Sequence, residues 1–179
     1  ILRSLLDDGR ADHRGRHEIV DVADLGVTPA QAHVPFLVGG NGRRVVRLAA
    51  RYADIFQFTG LTHGHDGAPE PGGFSLSSVR ERARWLTDDA GDRSRSIERS
   101  ALVQFAACGS DTPASADLAD RFGLTPEVIE SSPFVLSGSL EQLVDKIGRL
   151  RDEIGITHYV VRDPAGFADV VAAASDHTT

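Results

Sequence analysis

Short apolar runs alternate along the chain with longer stretches in which apolar residues recur every three or four positions. The runs Pro35 to Val38 (PFLV), Asp54 to Thr59 (DIFQFT), Ala101 to Ala107 (ALVQFAA), Phe134 to Leu136 (FVL) and Thr157 to Val161 (THYVV) have the length and composition of buried strands. Helical patterns lie between them. Arg43 to Tyr52 supplies Val45, Val46, Leu48, Ala49 and Ala50, and Ser78 to Asp89 predicts a second helix. Thr112-Pro113 and Thr125-Pro126 read as helix starts, with Thr as N-cap and Pro at the first helical position. Ser139 with Gln142 forms a capping box ahead of Leu140, Leu143, Val144, Ile147, Leu150 and Ile154, and Gly155 closes that helix. Pro164 to Ala174 is the last helical stretch.

Upstream, Ile1, Leu2, Leu5 and Leu6 fit one face of a helix that ends at Gly9, and HEIVDV is a short strand. A chain that opens within an amphipathic pattern, and contains no Met, predicts a further N-terminal portion. The order strand, helix, strand, helix predicts an α/β fold with parallel strands. Residues 1–179 are read as a single domain, and the closed form of such an alternation is an eight-stranded (β/α)8 barrel. Four or five strands instead of eight would leave bare edges. The missing N-terminal barrel half or a partner chain is therefore expected to cover them, and a homo-oligomer is compatible with this.

Composition narrows the function classes. Of 179 residues, 41% are hydrophobic and 25% charged, which is ordinary globular usage. A net charge of -7 argues against nucleic-acid or anionic-membrane partners, whose binders carry basic surfaces. No run approaches the roughly 18 apolar residues of a membrane span. Cys108 is the single cysteine, so no disulfide framework exists, and it reads as a small buried residue. A reducing, cytoplasmic setting is expected.

Several polar clusters invite chemistry without specifying it. The loop from Gly60 to Ser77 is long, polar and rich in Gly and Pro, and such loops commonly cover substrates. It holds His63, His65 and Asp66, but their spacing matches no zinc pattern, so no metal is expected. The basic HRGRH stretch reads as a solvated turn, and His158 as a structural histidine within an apolar strand. RERAR (Arg80 to Arg84) and RDEIG (Arg151 to Gly155) read as exposed helix faces with local ion pairs.

Gly39, Gly40, Asn41 and Gly42 stand between a predicted strand and a predicted helix. A dinucleotide fingerprint needs three glycines as G-x-G-x-x-G. Gly40 and Gly42 fit the first two places, but Val45 occupies the third. A Walker loop needs Gly-Lys-Ser/Thr, and Lys146 is the only lysine. A phosphate site at the carboxyl end of a barrel strand remains. There the glycines would expose backbone N–H groups at a helix N-terminus, with charge added by Arg43 and Arg44. On spacing alone, a plain tight turn explains the glycines equally well.

The segment PFLVGGNGRRVVRLAARYADIFQFTG resembles the signature of the bacterial luciferase-like monooxygenase superfamily, most of all its coenzyme F420-dependent class. SPFVLSGSLEQLVDKIGRLRDEIGITHYVV resembles the same class, as does the HRGRHEIVDV excursion. The resemblance implies the C-terminal portion of a (β/α)8 TIM barrel with the N-terminal strands missing, and an F420-dependent oxidoreductase that moves a hydride between a deazaflavin and a small organic substrate. An FMN-dependent monooxygenase of the same fold, or a non-catalytic truncated remnant or subunit, is the alternative. It implies cofactor-phosphate binding by Gly39, Gly40, Asn41 and Gly42, with Thr59 and Gly60 after the next strand. A strand-end hydroxyl capping its own turn is the other reading of Thr59. Asn41 departs from the small residue usual at its place. The resemblance puts the acid and base residues in the first barrel half, so no catalytic residue is assigned here.

Overall fold

The computed structural model describes residues 1–63, 67–109 and 112–176. The chain divides into two compact units, residues 1–36 and 37–179.

The first unit holds α1 (Leu2–Asp8), which ends at Gly9 in the left-handed conformation, φ 67°. None of its residues is buried, so its apolar face is not part of a core. The hairpin of β1 (Ala11–Arg14) and β2 (Ile19–Val22) follows, antiparallel, pairing Ala11 with Val22 and Arg14 with Ile19. The expected HEIVDV strand is thus present. HRGRH is half strand and half turn, because β2 gives Asp12 to Arg14 a ladder to join. Arg3 fastens the end of the unit: it donates to the Val34 carbonyl at 2.9 Å and lies 3.8 Å from the centre of the Phe36 ring.

The second unit is built on parallel strands. In chain order it contains β3 (Leu37–Gly39), α2 (Arg43–Tyr52), β4 (Ile55–Phe58), a small hairpin of β5 (Thr62–His63) and β6 (Pro69–Glu70), and α3 (Leu76–Ala90). β7 (Glu98–Leu102), β8 (Phe105–Cys108), α4 (Ser115–Phe122), α5 (Pro126–Ser131), β9 (Val135–Gly138), α6 (Leu140–Ile154), β10 (Ile156–Val160) and α7 (Ala168–Asp176) complete it. Strands β10, β7, β4 and β3 form one four-stranded parallel sheet in that order, and β8 pairs in parallel with β9. The α/β class with a parallel sheet, expected from the strand–helix alternation, is what forms.

The single strand expected over Ala101 to Ala107 is longer and broken. It begins at Glu98, and after Val103 it changes partner. Val103 N–H donates to Val160 O at 3.0 Å, whereas Gln104 N–H donates to Phe134 O at 2.8 Å. One stretch of chain therefore serves two sheets. Thr112-Pro113 does not start a helix. α4 begins at Ser115 behind Ala114, and the Thr112 hydroxyl bonds to Gly109 O instead. The last helix starts at Ala168, four residues later than expected, since 164–167 form only turns.

Side-chain alternation sorts the sheet faces. Phe56 and Phe58 of β4 are fully buried and meet edge to face, ring centres 4.9 Å apart. They pack with Val46, Ala49 and Ala50 of α2 and with Val79, Ala83 and Leu86 of α3. The opposite face is mixed and carries one polar row. Gly39, Gln57, Ser100 and His158 lie in register across four strands, and Gln57 Nε2 donates to Ser100 Oγ at 3.3 Å. Cys108 is a free, half-buried thiol in β8. Among the described residues, no helix is long and apolar enough to cross a membrane.

Candidate functional site

A cavity of about 590 Å³ opens at the carboxyl ends of the four parallel strands. Gly39 to Gly42 come from the β3–α2 turn, Thr59 and Leu61 to His63 follow β4, Leu102 and Gln104 follow β7, and Arg162 follows β10. None of the described lining residues is a carboxylate. Arg162, exposed at the rim, has no hydrogen bond or ion pair among the described residues.

The turn is glycine-built for specific reasons. Gly40 has φ 153°, a backbone that side chains rarely adopt, and a Cβ there would lie 3.0 Å from Val45 Cγ1. At Gly39 a Cβ would lie 3.3 Å from Gln57 O. Gly42 is different: its φ is -82°, and nothing lies within 4 Å of where its Cβ would stand. It is the N-cap of α2 and offers no side-chain cap, and α2 has no acidic residue in its first turn. The positive end of α2 is thus left without an internal anion.

Five of the six expected site residues, Gly39, Gly40, Asn41, Gly42 and Thr59, line this cavity. Gly60 does not. It is buried, and a Cβ on it would collide with the Phe74 ring at 2.6 Å and the Phe134 ring at 2.9 Å. Its placement accounts for it as a packing glycine that lets two aromatic rings reach the strand end. Arg43, expected to add charge to the loop, turns away and pairs with Asp89 at 2.9 Å. Asn41 is not left-handed; no residue but Gly has positive φ among those described. Its amide instead ties the loop down: Nδ2 donates to Leu61 O at 2.8 Å, and Oδ1 accepts from Arg82 Nη1.

Arg82 is the residue that the sequence reading misplaced. It belongs to RERAR yet is only 1% exposed. Burial pushes its pKa down to about 10, which leaves it charged at neutral pH. A signal was present: Val79, Arg82, Ala83 and Leu86 fall at helical spacing on one face. The Gly60 to Ser77 loop is likewise more built than its composition suggests. It contains the β5–β6 hairpin, and Phe74 is fully buried against Phe122 and Phe134. His65 and Asp66 lie outside the described residues. Among those described, no group of three or more His, Cys, Asp and Glu side chains is placed to hold a metal.

The sequence matches no protein-family model and no curated protein. Solved structures do match. One is a coenzyme F420-dependent tetrahydromethanopterin reductase from Methanopyrus kandleri, with TM-score 0.68 and 16% identity, covering 99% of this chain and 61% of that one. An F420-dependent secondary alcohol dehydrogenase in complex with an F420–acetone adduct gives TM-score 0.61 and 17% identity over 97% of this chain and 58% of that one. The chain carries part of the luciferase-like barrel fold. A riboflavin lyase, solved with modified FMN and riboflavin, shares it at TM-score 0.57 and 15% identity, over 94% of this chain and 48% of that one. The chain therefore spans between about half and three-fifths of the length of these neighbours, as a partial barrel does.

Proposed function

We propose that this chain is the cofactor-phosphate-binding part of an F420-dependent oxidoreductase of the luciferase-like superfamily. The observation that carries this reading is the cavity at the strand ends, where an uncapped helix N-terminus and a glycine turn meet a lining that, among the described residues, holds no carboxylate. That combination suits a phosphate: backbone donors, a favourable dipole and no competing anion among the described lining residues. Gly39, Gly40, Asn41 and Gly42 would hold the phosphate, with the Thr59 hydroxyl beside it. Leu61 and Leu102 offer apolar wall to the rest of the molecule. Two F420-dependent enzymes of the same fold support the choice of cofactor.

When bound, the deazaflavin supplies the hydride chemistry, to or from a small organic substrate. This chain's share is to fix the cofactor's phosphate end and, through the Gly60 to Ser77 loop, to cover one side of the cavity. An FMN-dependent enzyme is the second reading, favoured by the riboflavin lyase of the same fold. Titration of the full-length protein with F420 and with FMN, followed by fluorescence, tests both. Preferential saturable binding of F420 supports the first reading, and preference for FMN supports the second. Binding of neither overturns both.

A further inference from the structure

Three backbone carbonyls and one side-chain amide converge on one buried cation. Arg82 Nε donates to Ser78 O at 3.1 Å within its own helix. One Nη1 hydrogen goes to Thr59 O at 2.8 Å and the other to Asn41 Oδ1. Nη2 reaches Gly73 O at 2.6 Å. The rings of Phe58 and Phe134 flank the guanidinium, their centres 5.8 and 5.9 Å away. Every one of these acceptors is neutral, and no carboxylate among the described residues forms an ion pair with Arg82. Buried charges are ordinarily paired. Here, among the described residues, the positive charge is hydrogen-bonded only to neutral dipoles, with Glu81 acting on it from a distance, and it lies directly behind Asn41 and Thr59, which line the cavity.

We propose that Arg82 is the positioning residue of the phosphate cradle and the fixed positive charge behind it, setting a preference for phosphorylated over phosphate-free ligands. The inference rests on the cofactor reading above and deepens it. Arg82 does not line the cavity, so it acts through what it holds. It fixes the Asn41 amide so that Oδ1 faces the guanidinium and Nδ2 faces Leu61. It engages the Thr59 carbonyl, whose dipole would otherwise be free to oppose an anion. It also locks the return of the long loop at Gly73 to the strand end. That junction is tight enough that a Cβ at Gly73 would lie 2.8 Å from both Thr59 O and Gly60 O. A lysine could keep the charge but not the planar fork that serves several acceptors at once.

The test uses two ligand pairs, each with a phosphorylated and a phosphate-free member: F420 against its phosphate-free deazaflavin fragment, and FMN against riboflavin, which differs from it by the phosphate alone. Affinities are measured on the full-length protein, its Arg82→Met and Arg82→Lys variants, with thermal melting alongside. The wild type is expected to prefer the phosphorylated member of the pair it binds. In Arg82→Met that preference should fall by about tenfold or more, while the affinity for the phosphate-free member stays within about twofold. Arg82→Lys should recover part of the preference. If Arg82→Met does not fold, the comparison is read from Arg82→Lys, whose preference should lie several-fold below wild type. An unchanged preference in a folded variant overturns the proposal, as does an equal loss for both members of a pair. A wild type that binds neither pair overturns the cofactor reading itself, a different outcome from a wild type whose preference survives at Arg82→Met.

Discussion

The junctions β3–α2 and β9–α6 share a plan and differ at one point. In each, a short parallel strand passes through a glycine of unusual backbone, Gly40 at φ 153° and Gly138 at φ 149°, into a helix. At β9–α6 the helix start is closed from within. Ser139 Oγ accepts from Gln142 N–H at 3.3 Å, and Gln142 Oε1 accepts from Ser139 N–H at 2.8 Å. The glutamine oxygen even occupies the space beside Gly138, 2.7 Å from where a Cβ would stand. At β3–α2 nothing performs that service. Gly42 has no side chain, and only Val45 and Val46 N–H turn back, to Gly42 O. The same local geometry is therefore spent on stability in one place and left available to a ligand in the other.

The largest effect should come from closing the open junction. Gly42 has an ordinary φ and free space at its Cβ, so Gly42→Asp should fold without strain. The new carboxylate would cap α2 and place a like charge at the proposed phosphate position. We expect affinity for the phosphorylated ligand to fall about 30-fold or more, a loss of roughly 2–3 kcal/mol. The melting temperature should hold or rise slightly, since Asp is favoured over Gly as an N-cap by only a few tenths of a kcal/mol. Unchanged affinity in this variant would mean that the uncapped helix end does not face the ligand.

Gly40→Val comes next and reads differently. It meets both the unusual φ and Val45, so backbone strain of about 1–3 kcal/mol is expected in addition to a tenfold loss of affinity. Urea denaturation and ligand titration on one preparation separate these effects. A full loss of affinity with no loss of stability would contradict the strain read from the backbone. Opening the closed junction should do the reverse of Gly42→Asp. Ser139→Ala should cost about 1 kcal/mol of stability and leave ligand affinity untouched. An affinity change there would show that the two junctions are not separable in function.

Much of this contrast was readable in the sequence, because it is local. The capping box at Ser139 and Gln142, the αL glycine at Gly155 and the glycine turn all depend on neighbours within a few residues. What was not readable depends on distant partners. Arg82 was hidden because, in a charged stretch, the type of residue outweighed its place in the helical stripe; Lys146 was noted only as the chain's one lysine. Lys146 shares the inward face of α6 with Leu143 and Leu150 and donates to Ile129 O and Val135 O. That burial lowers its pKa to about 8. Gly60 was misplaced because only the folded chain brings Phe74 and Phe134 against it. The break at Val103 was invisible because both halves of that strand are equally apolar.

Thr59→Val should give the smallest effect and decides between two uses of one hydroxyl. Thr59 lines the cavity, yet its Oγ1 also donates to Leu61 O, two residues on, at 3.4 Å. That bond is long, at the outer edge of useful geometry, so losing it should change stability by less than about 0.5 kcal/mol. A hydroxyl lent to a phosphate is worth more, about 0.5–1.5 kcal/mol, or a two- to tenfold loss of affinity. Valine preserves the shape and the branching at Cβ, so packing is held nearly constant. The expected result is an affinity loss of a few-fold for the phosphorylated ligand, none for its phosphate-free counterpart, and recovery in Thr59→Ser. A drop in melting temperature with unchanged affinity would assign the hydroxyl to its own turn. The open junction would then rest on backbone donors and the charge of Arg82, with no side chain from the end of β4 onward taking part.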